Sequence, residues 1–327
     1  MQRHTPDSVA DAAAAAALLQ IGAEIGADQV LDSGETFSAS DMAKAAGVPL
    51  AGVTAYLAAL LAAGLIVEAE VPGDFRAAAD YPDLRHQAGY VSWAMNANGP
   101  FIDHARAFLT DPAAAARTHR RNGRRVAVSS RWIGERAFYP QIVEQVVASG
   151  ALRVTDLGAG AGALLIELLR ENPVRIGTAV DSNGAACAAA SEAALASGVH
   201  ERLTVVERPI ESLVDDPGPV VGAEAVLACY VMHDIVADDR TAQNVLGALR
   251  DALAPGGFLA VADAVSYARE PQERRFSALF TYLHSTFMSV HLPAEQEWLD
   301  KFAKAGFSQT RTVPVGLPGG RLFVASR

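Results

Sequence analysis

The run D-L-G-A-G-A-G, Asp156 to Gly162, limits the fold more than any other part of this chain. It follows the short stretch RVT and precedes ALLIELLREN, whose apolar residues recur at helical spacing. Glycines at alternate positions of a strand-to-helix turn let the backbone come close to a ligand. They also let the helix start tightly against the sheet. From residue 151 onward, strand-like and helix-like stretches alternate: RIGTAVD, NGAACAAASEAALASGV, LTVVERP, AEAVLACYVMHD, DRTAQNVLGALRDAL and GGFLAVADAV. Such alternation predicts an α/β fold, a parallel sheet with helices on both faces. The closing SQTRTVPVGLPGGRLFVASR reads as a hairpin.

The N-terminal part follows a different pattern. LLQIGAEIGADQVLDSG reads as one helix ending near Gly34. SASDMAKAAGV reads as a second, started at Ser38 or Ser40 and stopped by Gly47. PLAGVTAYLAALLAAGLIVEAE gives a third, stopped at Gly64 and running into a short strand. This is a winged-helix-like outline, and such folds often bind DNA. Residues 1–90 hold only four Lys/Arg against twelve Asp/Glu, and the whole chain carries a net charge of −10. That field repels phosphate backbones and excludes nucleic acid as the partner. The Ala/Leu-rich faces suit packing against another protein chain.

No apolar run reaches the ~18 residues of a membrane span. DAAAAAALLQ lacks a basic flank and reads as a helix, not a signal peptide. Cys187 and Cys229 have no CxxC spacing, and a reduced, cytoplasmic protein is expected. Residues 91–145 read as a helical connector. It holds Trp93 and five arginines within nine residues: Arg117, Arg120, Arg121, Arg124 and Arg125. The run is either an ion-paired face or the source of one arginine, Arg121, that grips a carboxylate through two parallel hydrogen bonds. The expected division is 1–90, 91–145 and 146–327.

A dinucleotide enzyme also matches the glycine pattern, but it brings a pyrophosphate to the turn, where Asp156 would repel it. S-adenosylmethionine (SAM) carries an ammonium and a sulfonium instead, and a carboxylate suits both. Asp181, at the end of the second strand, is placed to accept the ribose hydroxyls. Asp156, Gly158, Gly160, Asp181 and Tyr230 are the expected cofactor contacts. The adenine contact stays open between Glu207 and backbone groups.

The D-x-G-x-G-x-G turn, Asp181 and A-P-G-G-F at 254–258 resemble the class I SAM-dependent methyltransferases. The chain as a whole is similar to the plant-type O-methyltransferases and their bacterial relatives. That resemblance implies a winged-helix dimerisation domain, a homodimer, and a Rossmann-like seven-stranded SAM domain. In O-methyltransferases of this type a His after the fourth strand is the general base, and VMHDIVADD puts His233 there.

The motifs resemble most closely the bacterial metal-dependent α-keto acid C-methyltransferases. This implies that His233, Asp234 and His284 hold zinc or iron, which would stabilise an enolate while the β-carbon of a small apolar α-keto acid is methylated. Phe280, His284, Phe287, Met288 and His291 fall on one helical face. Trp93, Arg121, Phe280, Phe287 and Met288 would line the substrate pocket. The proton-abstracting base stays open between Tyr282 and a metal-bound hydroxide. The alternative is a metal-independent O-methyltransferase with His233 as base. A ligand-sensing regulator is a third reading, opposed by the acidic N-terminal part.

Overall fold

The structure is a computed structural model and describes residues 9–327, so the first eight positions of the expected 1–90 domain lie outside the described residues. The chain divides into two compact units. One runs to Arg106 and includes Arg117–Gly134; the other comprises Ala107–Ala116 and Glu135–Arg327. The stretch 91–145, expected as a connector, is shared between them.

In the first unit the helix Val9–Ile25 stops at Gly26, whose φ of 78° breaks the helical path, and Asp28–Asp32 forms a separate turn of helix. The single helix expected to reach Gly34 is therefore two. Ser38 caps the helix Ala39–Ala46: its hydroxyl accepts from the Asp41 N–H, and the Asp41 carboxylate accepts from the Ser38 N–H. Gly47 closes that helix with φ 64°. The helix Leu50–Ala62 leads into β2 (Ile66–Glu68) and β3 (Asp74–Ala77), an antiparallel pair joined on its other edge by β1 (Phe37–Ser38). Leu19, Met42, Leu57, Leu60 and Trp132 are buried together between helices and sheet. Part of the arginine run is structural here. Arg125 pairs with Glu24 at 2.7 Å, and Arg124 donates to the Ala23 carbonyl at 2.6 Å.

The second unit is built on a seven-stranded sheet of order β6-β5-β4-β7-β8-β10-β9. Its strands are β4 (Arg153–Leu157), β5 (Ile176–Asp181), β6 (Leu203–Glu207), β7 (Ala225–Cys229), β8 (Phe258–Ala264), β9 (Gln309–Pro314) and β10 (Gly320–Ser326). The first five are parallel; β10 and β9 are antiparallel additions. This is a Rossmann-like sheet with an antiparallel pair added at one edge. The continuous apolar runs of β7 and β8 follow from their position, since both faces of a central parallel strand are covered. The chain leaves β4 toward β5 and β6, then returns to β4's other side as β7. The strand order therefore reverses between β4 and β7, and a crevice opens at their carboxyl ends.

Beneath the sheet's antiparallel side, Trp298 is fully buried, stacks on Phe302 and Phe323, and donates Nε1–H to the Ala264 carbonyl at 3.1 Å. Trp298→Ala removes this volume and the donor, and is expected to cost about 3–5 kcal/mol of stability in urea unfolding. A loss below about 1 kcal/mol would contradict the packing described.

Candidate active site

Four parallel strands deliver their carboxyl ends to one edge. Asp156 lies near the end of β4, Asp181 ends β5, and Glu207 ends β6. β7 stops at Cys229 because Tyr230 adopts φ 54°, a conformation that non-glycine residues rarely take. The Tyr230 N–H is held by the Ala262 carbonyl at 2.8 Å. This kink turns the chain into the short helix Met232–Val236, so His233 and Asp234 sit in a first helical turn and not on a strand.

The turn after β4 is a glycine cradle. Gly158, Gly160 and Gly162 have φ of 68°, 56° and 75°. A Cβ on Gly158 would meet the Val231 side chain at 2.9 Å, so glycine there lets the turn pack against the segment leading to His233. Asp181 locks the turn by accepting from the Gly160 N–H at 2.9 Å, and it also accepts from the Asn183 N–H at 2.8 Å. Glu207 lies against Gly184, where a Cβ would meet its carboxylate at 2.9 Å.

Asp156 is 3% exposed. Burial first, and the like charge of Asp181 second, push its carboxyl up to about 7 from the ordinary 3.8. A buried acid pushed up by burial and a like charge is stabilised by an incoming cation. The cradle and its two carboxylates therefore fit a cationic nucleoside such as SAM and would repel a pyrophosphate.

His233 is buried, and its Nδ1 lies 2.8 Å from the Asp263 carboxylate. Asp263 comes from β8 and is fully buried. Its carboxylate also accepts from the backbone N–H of His233 at 3.0 Å and of Ala264 at 2.8 Å. Nδ1 therefore carries the proton, and Nε2 presents a lone pair. Asp263 was not among the expected site residues. An acid inside the apolar run FLAVADAV was the signal for it, because a buried carboxylate is costly unless it is held.

His284 lies in a π-helical segment, Leu283–Phe287, a form common at functional sites. Its ring stands perpendicular to that of His233, with centroids 4.9 Å apart. Phe280 stacks on His284 at 4.1 Å, and the His284 Nδ1 donates to the Phe280 carbonyl at 2.7 Å. Phe287 packs against Phe108 and Tyr282. Met288 ends the π-helical segment and is half-buried. His291 is exposed and pairs with Glu297 at 3.5 Å, so it does not share the face expected for it. The reason is Ser289, whose φ of 58° ends the helical path. Trp93, buried in a second π-helical segment, Ser92–Ala97, belongs to the first unit, as does Arg121.

The expected zinc or iron ligands are not assembled. Successive residues of a helical turn point about 100° apart. His233 faces inward while the Asp234 side chain is 52% exposed, 3.8 Å from the His233 Nε2. Among the described residues, no group of three His, Cys, Asp or Glu side chains is placed to hold an ion.

A carboxyl with a raised folded-state pKa adds stability below its unfolded value and loses it as pH rises through the folded one. Asp156→Asn should therefore leave the ligand-free protein as stable as the native chain near pH 4. At pH 8 it should be more stable, by on the order of 4 kcal/mol. SAM affinity should fall at least about tenfold. Denaturant unfolding and calorimetric titration check both. Equal stability of the two proteins at pH 8 would contradict this assignment.

Residues 155–259 match the family described as "Methyltransferase domain". The chain is similar to 3-hydroxy-5-methyl-1-naphthoate 3-O-methyltransferase of Streptomyces sahachiroi, 32% identical over 57% of this chain and 51% of that protein. It is also similar to aclacinomycin 10-hydroxylase RdmB of Streptomyces purpurascens, 31% identical over 49% of this chain and 41% of that protein. The chain thus spans about half the length, or less, of these curated relatives. The solved structure of the S-adenosylmethionine-dependent methyltransferase SibL matches over 98% of this chain and 97% of its own, with a TM-score of 0.57 and 19% identity, a likeness of fold. The chain therefore carries a methyltransferase domain, on a fold shared with a solved S-adenosylmethionine-dependent methyltransferase.

Proposed function

We propose that the protein transfers a methyl group from SAM to a hydroxyl of a small molecule, with His233 as the general base. The observation that carries this reading is the 2.8 Å contact between His233 Nδ1 and the buried Asp263. It directs the lone pair of Nε2 outward as a proton acceptor. When Nε2 takes the hydroxyl proton, the new positive charge lies against the Asp263 carboxylate, which three hydrogen bonds hold in place.

SAM, when bound, supplies a methyl group on a positively charged sulfur. Asp156, Gly158, Gly160, Asp181 and Tyr230 would hold it at the carboxyl ends of β4, β5 and β7. Asp181 fixes the turn through Gly160, and Asp156 offers the buried negative charge. The naphthoate relative named for oxygen methylation supports the same reading. Carbon methylation of an α-keto acid through a metal-stabilised enolate loses its support, because His233, Asp234 and His284 do not converge as a ligand set. Oxygen methylation needs only the base and its carboxylate.

We read the first unit as a homodimerisation module. Ile21, Leu50 and Leu61 are exposed on its helices. No single helix among the described residues is long and apolar enough to cross a membrane.

His233→Gln should lower kcat by about 10²–10⁴-fold while leaving SAM affinity unchanged. Asp263→Asn should lower kcat by about 10²-fold through loss of the countercharge. Dialysis against a chelator should leave the rate intact. A His233→Gln variant with near-native turnover would overturn the base assignment; loss of activity on chelation would overturn the metal-free reading.

A further inference from the structure

The opposite end of the sheet carries a cavity that the methyl transfer does not use. Arg153 opens β4 at the amino ends of the parallel strands. Arg327 follows β10, which runs antiparallel and so ends at the same edge. The helix Asp239–Ala252 also ends there. Its last turn and the loop after it enclose about 510 Å³ against the segment that leads into β7. That volume lies within the range of small-molecule pockets, about 300–1,000 Å³.

Hydrogen bonds fix the walls. The Gly222 N–H donates to the Ala252 carbonyl at 2.7 Å, and the Ala254 N–H donates to the Ala223 carbonyl at 2.8 Å. The Arg327 guanidinium donates to the Leu253 carbonyl. Much of the lining is apolar, from Val214, Val221, Leu253 and Pro255. Val214 and Val221 are 40% and 64% exposed, so they offer apolar surface at the cavity rather than in the core.

The charge at the cavity is positive, in a chain whose net charge is −10. Two arginines, Arg153 and Arg327, line it with one acid, Asp251. Asp251 is taken up by its neighbour Arg250, through Nε at 2.9 Å and Nη2 at 2.6 Å. Arg153 pairs with Glu224 through Nη2 at 3.3 Å, and the Glu224 carboxylate also accepts from the Leu152 N–H at 2.6 Å. A guanidinium has five N–H donors, so this one contact leaves Arg153 able to hold a second acceptor. Its guanidinium lies over Gly222, where a Cβ would come within 4.0 Å of it.

We propose that this cavity is a second small-molecule site, and that it takes an organic anion with a compact apolar body, an aryl carboxylate. The carboxylate would lie on Arg153, which can grip it through two parallel hydrogen bonds, and the apolar body against Val214, Val221 and Pro255. The length of β4, roughly 15 Å, separates Arg153 from the glycine turn. The site is therefore distinct from the cofactor cradle, and the inference does not depend on the oxygen-methylation reading.

The test titrates 2-naphthoate and its uncharged isostere 2-naphthamide into the full chain saturated with S-adenosylhomocysteine, with binding read from the proton relaxation of each probe. The native protein should bind the carboxylate saturably, with a Kd below about 1 mM, and the amide at least about fivefold more weakly. Arg153→Gln, which removes the charge at a half-exposed position, should weaken the carboxylate at least about fivefold and leave the amide unchanged. Val221→Asp, which sets a like charge at the rim, should weaken it by a similar factor. Native S-adenosylhomocysteine affinity in both variants reports that they are folded. No saturable binding, equal affinity for the two probes, or native carboxylate affinity in either variant overturns the proposal.

Discussion

His233 donates its Nδ1 proton to Asp263 across 2.8 Å in a place where neither side chain meets bulk water. A buried carboxylate needs partners, and here it has three donors, two of them backbone N–H groups. The one from His233 ties the start of the helix Met232–Val236 to the end of β8, and the one from Ala264 steadies the carboxylate within β8. The tie fixes where the chain can go after β7, and the kink at Tyr230 follows from that path. The kink places Val231 against Gly158, so the glycine turn after β4 is held against the same segment. The orientation of one imidazole is thereby linked to the shape of the cofactor cradle.

The sheet explains why these parts meet. Reversal of strand order between β4 and β7 leaves a crevice, and each neighbouring strand contributes one residue to its rim. Asp156 and Asp181 bring negative charge to one side of the switch. His233 and Asp263 bring a neutral base with its countercharge to the other. In the proposed function the division of labour is electrostatic: a raised acid where a cation would bind, and a compensated pair where a proton would be taken up. His284 stands beside the His233 ring, positioned by a π-helical turn and by stacking on Phe280.

Much of this was legible in the residues. The D-L-G-A-G-A-G turn, the alternation after residue 151 and the closing hairpin specify the seven-stranded fold, because local pattern and topology agree. His233 stood out as an ionisable group at the end of an apolar strand. Asp263 escaped notice because its meaning depends on a neighbour 30 positions away. The metal set is not assembled among the described residues: His233 Nε2 and the Asp234 carboxylate come within 3.8 Å, but no third group converges with them on an ion. The break at Gly26 and the end of the helical path at Ser289 rest on left-handed backbone conformations. Apolar periodicity does not register such conformations, least of all at a non-glycine residue.

The measurement that bears most directly on this account is the tautomer of His233, read from nitrogen-15 chemical shifts of the imidazole in the protein saturated with S-adenosylhomocysteine, with His233→Gln to assign the signals. The account predicts a neutral ring protonated at Nδ1 and bare at Nε2 near pH 8, and loss of that single tautomer in Asp263→Asn. A ring protonated at Nε2 in the native protein would contradict it, because the nitrogen assigned to take the substrate's proton would already hold one.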